Sequence, residues 1–429
     1  MTHTIPEGDI RVGVLGAFRG KAFAKTAGAS GMKLVAICDN FKHRLDEVCK
    51  ELEVPGFEDF DEFLKQDMDA VVIAAPFHTH AYFAKKALKA GKHVLSETSC
   101  NATLAEGVEL YRVAQETGLC YMLAENYCYT RFCQEFKRLY DLDEIGEIRY
   151  AEGEYNHPMA LDDSLWYSPG AKHWRNWLPA GYYNTHALAP LMYITNTLPV
   201  AVSCNLIPGK KETEVREDGQ YHRGGYVMLI RMSNGAIFRL YGGVAGHSCW
   251  YGLHGTHGAM EAGRGHGYFG PETVRVWHEP WDLKGDQVEE KVYYPNWAEH
   301  AEEANKTGHG GGDFFVELNF AEAIRTGKQP YLDAFHGITM TNVGILSWRS
   351  AHQGGKFIEI PDLRDPAAQE EMLKDRLTPF PVDMGGNELM PEYMLNPRKF
   401  DTPDMIERAR KAWARQGYTE EQIDVLLKE

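Results

Sequence analysis

Apolar and polar positions follow two regimes along the chain. From Ile10 to Ala124, short apolar runs are separated by stretches with helical spacing. Ile10-Arg11-Val12-Gly13-Val14-Leu15-Gly16 is a β-rich run ending in glycine, and Lys21 to Ala29 has the spacing of a helix. Lys33 to Asp39 and Asp69 to Ala75 are two further apolar runs, the first ending in an acid and the second followed by Pro76. Continuous apolar runs are expected of strands in a parallel sheet with helices on both faces. His80 to Ala90 predicts a helix stopped by Gly91, and His93 to Glu97 the next strand. Thr103-Leu104-Ala105-Glu106 is a capping box opening a helix to about Glu116, with Gly118 just beyond. Leu119 to Ala124 completes a doubly wound βαβ array with a glycine turn at its first crossover.

From about Tyr129 the pattern changes. Arg131 to Tyr140 predicts a helix, and Gly146 to Tyr155 alternates as a half-buried strand does. Val200 to Leu206, Tyr226 to Met232, Ala236 to Tyr241, Thr273 to Trp277 and Lys291 to Tyr294 are strands without intervening helices. They predict an open, mostly antiparallel sheet. Two helices follow, Asp313 to Arg325 and Asp333 to His352. Residues 377 to 401 are proline-rich, and Thr402-Pro403 starts a charged helix capped at Gly417. The fold class is therefore α/β, an N-terminal dinucleotide-binding array plus a C-terminal α+β domain. The expected boundaries are 1–128, 129–376 for substrate binding and oligomerisation, and 377–429 for a C-terminal extension.

Composition narrows the class. A chain of 429 residues suits two domains and a tail. Its formal net charge of −16 disfavours nucleic acid as a partner. No apolar run reaches the roughly 18 residues of a membrane span, and Met1 to Gly8 lacks the pattern of a signal peptide. Eight cysteines without patterned spacing read as buried thiols in a reducing compartment. A cytoplasmic enzyme is the expectation, as a homodimer or homotetramer because the open sheet face needs a cover.

Gly16-Ala17-Phe18-Arg19-Gly20 lies where a Rossmann fold binds pyrophosphate, although it is one residue short of G-x-G-x-x-G and lacks the middle glycine. Asp39 ends the second strand, where a carboxylate accepts hydrogen bonds from the adenosine ribose. That carboxylate would repel a 2′-phosphate, so NAD is expected over NADP.

Arg11-Val12-Gly13-Val14-Leu15-Gly16, Arg19-Gly20, Val35-Ala36-Ile37-Cys38-Asp39, Asp69 to Pro76, His80 and Gly91 to Glu97 together resemble the Gfo/Idh/MocA oxidoreductase superfamily. Most of its dehydrogenases continue as Glu-Lys-Pro with a catalytic lysine; here the run is Glu97-Thr98-Ser99. The chain is more similar to glycoside hydrolase family 109. That likeness is carried by Glu97 followed by a non-lysine residue and then Ala102-Thr103-Leu104, by Ala124 to Tyr129, and by Ala151 to His157. It continues in Trp174-Arg175 with Tyr183-Asn184-Thr185-His186, where asparagine replaces the family's proline, and in His309 to Phe315. The resemblance implies NAD held by Gly16, Phe18, Arg19, Gly20, Asp39, Pro76, His78, His80, Glu97, Thr98, Asn126, Trp174 and Arg175. It also implies a pocket of Tyr155, His157, Tyr183, His186 and His309.

Tyr155 and His157 lie two apart on a strand and share a face. Tyr183 and His186 lie three apart, about one helical turn. His309 precedes a glycine run that lets backbone approach a substrate. Histidine suits proton transfer near neutral pH, so Tyr183 and His186 are expected to carry the chemistry, with His157 and His309 as acid/base or hydroxyl-binding groups. The expected reaction is glycoside cleavage. The sugar is transiently oxidised at C3 and deprotonated at C2, the glycosidic oxygen is eliminated, water adds, and the sugar is reduced again. An ordinary NAD-dependent sugar or polyol dehydrogenase and a non-catalytic sugar- or nucleotide-binding protein are the alternatives. No metal is expected: no Cys or carboxylate completes His78-Thr79-His80, and His254, His257 and His266 read as a loop between strands. Trp174 and Trp177 are candidates for stacking on a sugar or for filling the core.

Overall fold

The computed structural model describes residues 10–157, 167, 173–176, 178–207, 225–244, 249–264, 272–380, 388–389 and 403–427. Two sheets organise it. The first holds β1 (Ile10–Leu15), β2 (Met32–Cys38), β3 (Gly56–Phe57), β4 (Ala70–Ile73), β5 (His93–Ser96) and β6 (Tyr121–Leu123), in the order β3-β2-β1-β4-β5-β6. Every pairing in it is parallel. Helices α1 (Gly20–Thr26), α2 (Lys42–Leu52), α3 (Phe60–Leu64), α4 (His80–Lys89) and α5 (Leu104–Thr117) connect the strands. All residues of β4 and β5 are buried, which is why both read as unbroken apolar runs. Pattern reading passes over α2, α3 and β3. Only Leu45 and Val48 of α2 are buried, a stripe too narrow to stand out, and α3 and β3 are very short.

The second sheet holds β7 (Tyr150–Tyr155), β8 (Pro199–Ile207), β9 (Gly225–Met232), β10 (Ile237–Gly242), β11 (Cys249–His254), β12 (Gly258–Ala262), β13 (Val274–His278), β14 (Glu290–Tyr293) and β15 (Ile358–Glu359). Its order is β14-β13-β12-β11-β7-β10-β9-β8-β15. All its pairs are antiparallel except β7 with β10. β9 alternates buried and exposed residues, the mark of a sheet covered on one face. Strands β11 and β12 are absent from the pattern reading. β11 is buried from Cys249 to Leu253 and shows no alternation, and β12 contains glycine and two alanines, poor strand formers.

Helices α6 (Arg131–Asp141), α7 (Thr185–Thr195), α8 (Gly312–Thr326) and α9 (Ala334–His352) complete the body. α7 packs on β7, and α9 touches β8, α5 and α7, so one apolar core runs through both sheets. At Gly153 of β7 a Cβ would stand 2.2 Å from the carbonyl oxygen of Ala187 in α7. Only glycine lets strand and helix approach so closely, and the closeness brings the end of β7 beside the start of α7. At the chain's end, α10 (Pro403–Arg415) and α11 (Glu420–Leu426) form a hairpin. Among the described residues, no helix is long and apolar enough to cross a membrane.

The Thr103 capping box is formed. Thr103 Oγ1 accepts from the Glu106 N–H at 3.2 Å and Glu106 Oε2 accepts from the Thr103 N–H at 3.2 Å, while Gly118 closes the helix in the left-handed region at φ 66°. Thr103→Ala should lower stability by about 1 kcal/mol, measured as a lower urea midpoint with an unchanged m value.

Candidate active site

The glycine loop sits where the sheet order reverses, at the carboxyl ends of β1 and β4, the position at which such sheets bind ligands. Gly16 has φ 100°, and a Cβ there would meet the Ala74 carbonyl oxygen at 2.4 Å. The Asp39 carboxylate closes the loop from the other side. Its Oδ2 accepts from Ala17 N–H at 2.6 Å and its Oδ1 from Phe41 N–H at 2.7 Å. Asp39 thus ties the glycine loop to the end of β2, a structural task that sequence reasoning did not assign to it.

Arg19 is the hub of a largely buried charge cluster. Its Nε donates to Glu97 Oε1 at 2.6 Å, and its Nη1 and Nη2 donate to the two oxygens of Asp313 at 3.2 and 2.9 Å. Asp313 also accepts from Asn126 Nδ2 and from His309 Nδ1, each at 2.9 Å. Burial alone would raise the Asp313 pKa, but Arg19 and His309 override it and hold the carboxyl well below the usual carboxylate range. Gly312 makes room for this packing: a Cβ there would stand 2.3 Å from the Asn126 carbonyl oxygen.

The predicted pocket residues converge. Tyr155 ends β7, Tyr183 ends a short 3₁₀ turn (Ala180–Tyr183), and His186 lies in the first turn of α7. Ring centroids are 4.4 Å apart for Tyr155 and His186, 5.1 Å for Tyr183 and His186, and 6.0 Å for Tyr155 and Tyr183. His157 stands exposed at the rim, 6.2 Å from the Tyr155 ring. His309 approaches from the other side, 6.1 Å from the ring of Tyr127, which in turn is 4.7 Å from His186. Burial raises the Tyr155 phenol well above its ordinary pKa, so it keeps its proton at neutral pH.

One partner was not foreseen. His186 Nδ1 donates to Oε1 of Glu125 at 2.8 Å, and Glu125 is 0% exposed. That bond leaves the Nε2 lone pair free to accept a proton. Glu125 lies in the stretch Ala124 to Tyr129 that carries the family resemblance, but as an acid directly after the last strand of the array it was given no role. Asp313 went unassigned for a similar reason: it reads as the first residue of a helix.

Other expected residues fall differently. His80 is turned inward, 1% exposed, with Nδ1 2.8 Å from Ser99 O and Nε2 2.8 Å from Ala75 O. It braces the two loops and offers no ring nitrogen to a ligand. Trp174 packs near Phe77, at 6.3 Å, and carries the Arg175 guanidinium over its ring at 4.4 Å. His254 and His257 flank the turn between β11 and β12, with His257 Nδ1 2.5 Å from Asp282. Trp177 and His266 lie outside the described residues.

The sequence pattern of an oxidoreductase family with an NAD-binding Rossmann fold, Gfo/Idh/MocA, matches residues 10–125, and that of the glycosyl hydrolase 109 C-terminal domain matches residues 246–367. The N-terminal segment is thus similar to the Gfo/Idh/MocA oxidoreductases and the later one to the glycosyl hydrolase 109 C-terminal domain, the two on one chain. A glycosyl hydrolase family 109 protein of Solibacter usitatus (strain Ellin6076) is 25% identical over 396 residues, 83% of this chain and 89% of that one. An alpha-N-acetylgalactosaminidase of Tannerella forsythia is 24% identical over 385 residues, covering 78% and 81%. A levoglucosan dehydrogenase solved with NADH and L-sorbose has the same fold, with a TM-score of 0.69 at 20% identity, covering 83% of this chain and 100% of that one.

NAD is the cofactor of this Gfo/Idh/MocA fold, and the residues present fit it. Besides the Gly16 cradle, buried polar atoms without a protein partner gather at the carboxyl edge of the first sheet: His78 Nδ1, Thr98 Oγ1 and Asn126 Oδ1. Such atoms are expected where a polar ligand completes the hydrogen bonding.

His78 supplies a pH test. It stacks on Phe380 at 4.8 Å, and burial, followed by the neighbouring His80, pushes its pKa from 6.5 down to about 4. The unfolded chain therefore takes up a proton below pH 6.5 that the folded chain refuses until about pH 4. The stabilising contribution of the neutral ring is complete above pH 6.5 and is lost on descending through that window. In urea unfolding, the drop in stability between about pH 7.5 and 5 should be smaller for His78→Asn than for wild type.

Proposed function

We propose that the protein is an NAD-dependent glycosidase. The sugar is transiently oxidised at C3, its C2 proton is removed, the glycosidic oxygen leaves, and water addition and reduction restore the sugar. The observation that carries this reading is a pair of imidazoles around one ring. His186 on Glu125 and His309 on Asp313 flank Tyr127, and each gives its Nδ1 proton to a buried carboxylate. A plain alcohol oxidation needs one base; oxidation followed by elimination needs a second.

NAD bound along the glycine loop supplies reversible hydride acceptance. Gly16, Phe18, Arg19, Gly20, Asp39, Pro76, Glu97, Thr98, Asn126, Trp174 and Arg175 are the residues proposed to surround it. In this reading His186 Nε2 takes a proton, and Glu125 holds the tautomer that makes this possible. Tyr183, 5.1 Å from His186 ring to ring, is the hydroxyl relay. Tyr155, kept protonated, donates a hydrogen bond to oxygen on the substrate. His309, oriented by Asp313, serves the second proton, and His157 at the rim binds a hydroxyl. Thr98 stands where dehydrogenases of this superfamily place their lysine, and a hydroxyl cannot replace an amine in proton transfer near neutral pH. The names of the glycosyl hydrolase 109 relatives support a glycoside as substrate.

The test is one assay with nitrophenyl glycosides in heavy water. Nitrophenol release, no lasting NADH absorbance and deuterium at C2 are expected. Steady NADH from a free sugar with no nitrophenol would replace this reading with a dehydrogenase. In the same assay Glu125→Gln should lower kcat by roughly 100-fold while NAD binding, followed by fluorescence titration, stays unchanged. The glutamine amide donates to Nδ1 and leaves the proton on Nε2, the wrong nitrogen.

A further inference from the structure

The C-terminal hairpin lies beyond residue 367, where the glycosyl hydrolase 109 match ends, and it docks on the first sheet's cofactor loops. The hairpin is built to hold a shape. Gly417 turns the chain at φ 89°, and Thr419 with Gln422 forms a second capping box. Its apolar seam is Trp413, Ile423 and Leu426, which are 2%, 0% and 6% exposed, with Phe41 and Tyr418 packed against them. Phe41 belongs to the loop after β2, two residues past the ribose-side acid Asp39.

Arg44 joins the hairpin to both cofactor loops. Its Nε and Nη2 donate to the Tyr418 hydroxyl at 3.2 and 3.1 Å. Its guanidinium lies 4.7 Å from the ring of Phe18, 5.4 Å from Phe41, 5.7 Å from Trp413 and 5.9 Å from Tyr418. Tyr418 stacks on Phe41 at 6.1 Å with 16° between the planes. Phe18 is part of the glycine loop; Phe41 gives its N–H to Asp39. One cation thus locks a segment 374 residues away in sequence onto the two loops that flank the ribose end of the groove.

We propose that Arg44 and Tyr418, backed by Trp413, form the outer wall of the adenosine half of the NAD site, and that the hairpin slows cofactor exchange. A purine nucleoside is the chemistry this wall suits: flat aromatic and guanidinium surfaces for a base, beside a carboxylate for ribose hydroxyls. The reaction catalysed at the other end of the groove does not enter this inference, which holds for a glycosidase and a dehydrogenase alike.

The experiment loads the full-length protein with NADH, chases with excess NAD, and follows the loss of NADH fluorescence. Tyr418→Ala should speed release by about tenfold or more, because stack and hydrogen bonds are both lost. Tyr418→Phe should fall between, about threefold, since the ring remains and the two guanidinium bonds do not. Should the alanine variant fold poorly, the phenylalanine variant, which keeps the seam filled, still decides. Release rates of the folded variants within twofold of wild type would overturn the proposal. Slower release and tighter binding would overturn it too, by making the hairpin an obstruction.

Discussion

The structure turns on one half-buried guanidinium. Arg19 sits in the glycine loop, and its partners come from two other places: Glu97 at the end of β5 and Asp313 at the start of α8. Charges this deep are tolerated only as a satisfied set, and removing one partner from such a cluster costs about 3–5 kcal/mol. The cluster therefore fixes where the second half of the chain sits relative to the first. Asp313 extends the constraint, since the same carboxylate holds Asn126 and His309. The distance from cofactor loop to candidate acid/base group is set by the hydrogen bonds that one aspartate accepts.

A second consequence concerns the histidines. A lone imidazole in a crowded pocket can settle in either tautomer. Here His186 and His309 each have the choice made by a carboxylate on Nδ1, so in the neutral ring Nε2 is the nitrogen without a proton. Neither carboxylate is exposed to solvent, and packing keeps each in place.

Much of this was legible in the amino-acid order. The parallel array, its glycine turn and the Thr103 cap follow from apolar periodicity and short motifs, whereas Tyr155, His157, Tyr183, His186 and His309 were grouped by the family resemblance. What escaped has physical causes. Glu125 and Asp313 are single acids at the ends of a strand and a helix, where acids are common for capping reasons alone. Much of their meaning lies in contacts distant in sequence, 61 positions for Glu125 with His186 and 187 for Asp313 with Asn126. His80 misled in the opposite sense, because a histidine at a strand-to-helix loop looks the same in sequence whether it faces a ligand or the interior. β11 was invisible because burial on both faces erases alternation.

The single parallel pairing of the second sheet has an effect on how the chain reaches its fold. β7 is central there, yet both its neighbours, β10 and β11, come later in the chain, at residues 237–242 and 249–254. During synthesis β7 emerges with two bare hydrogen-bonding edges and must wait about 100 residues for either partner. Such long-range closure is slow, and a strand with unpaired edges is a template for association with other chains. The nascent protein thus passes through an interval in which the strand that will end at Tyr155 has both edges open, with Glu152 and Glu154 the charges that guard it.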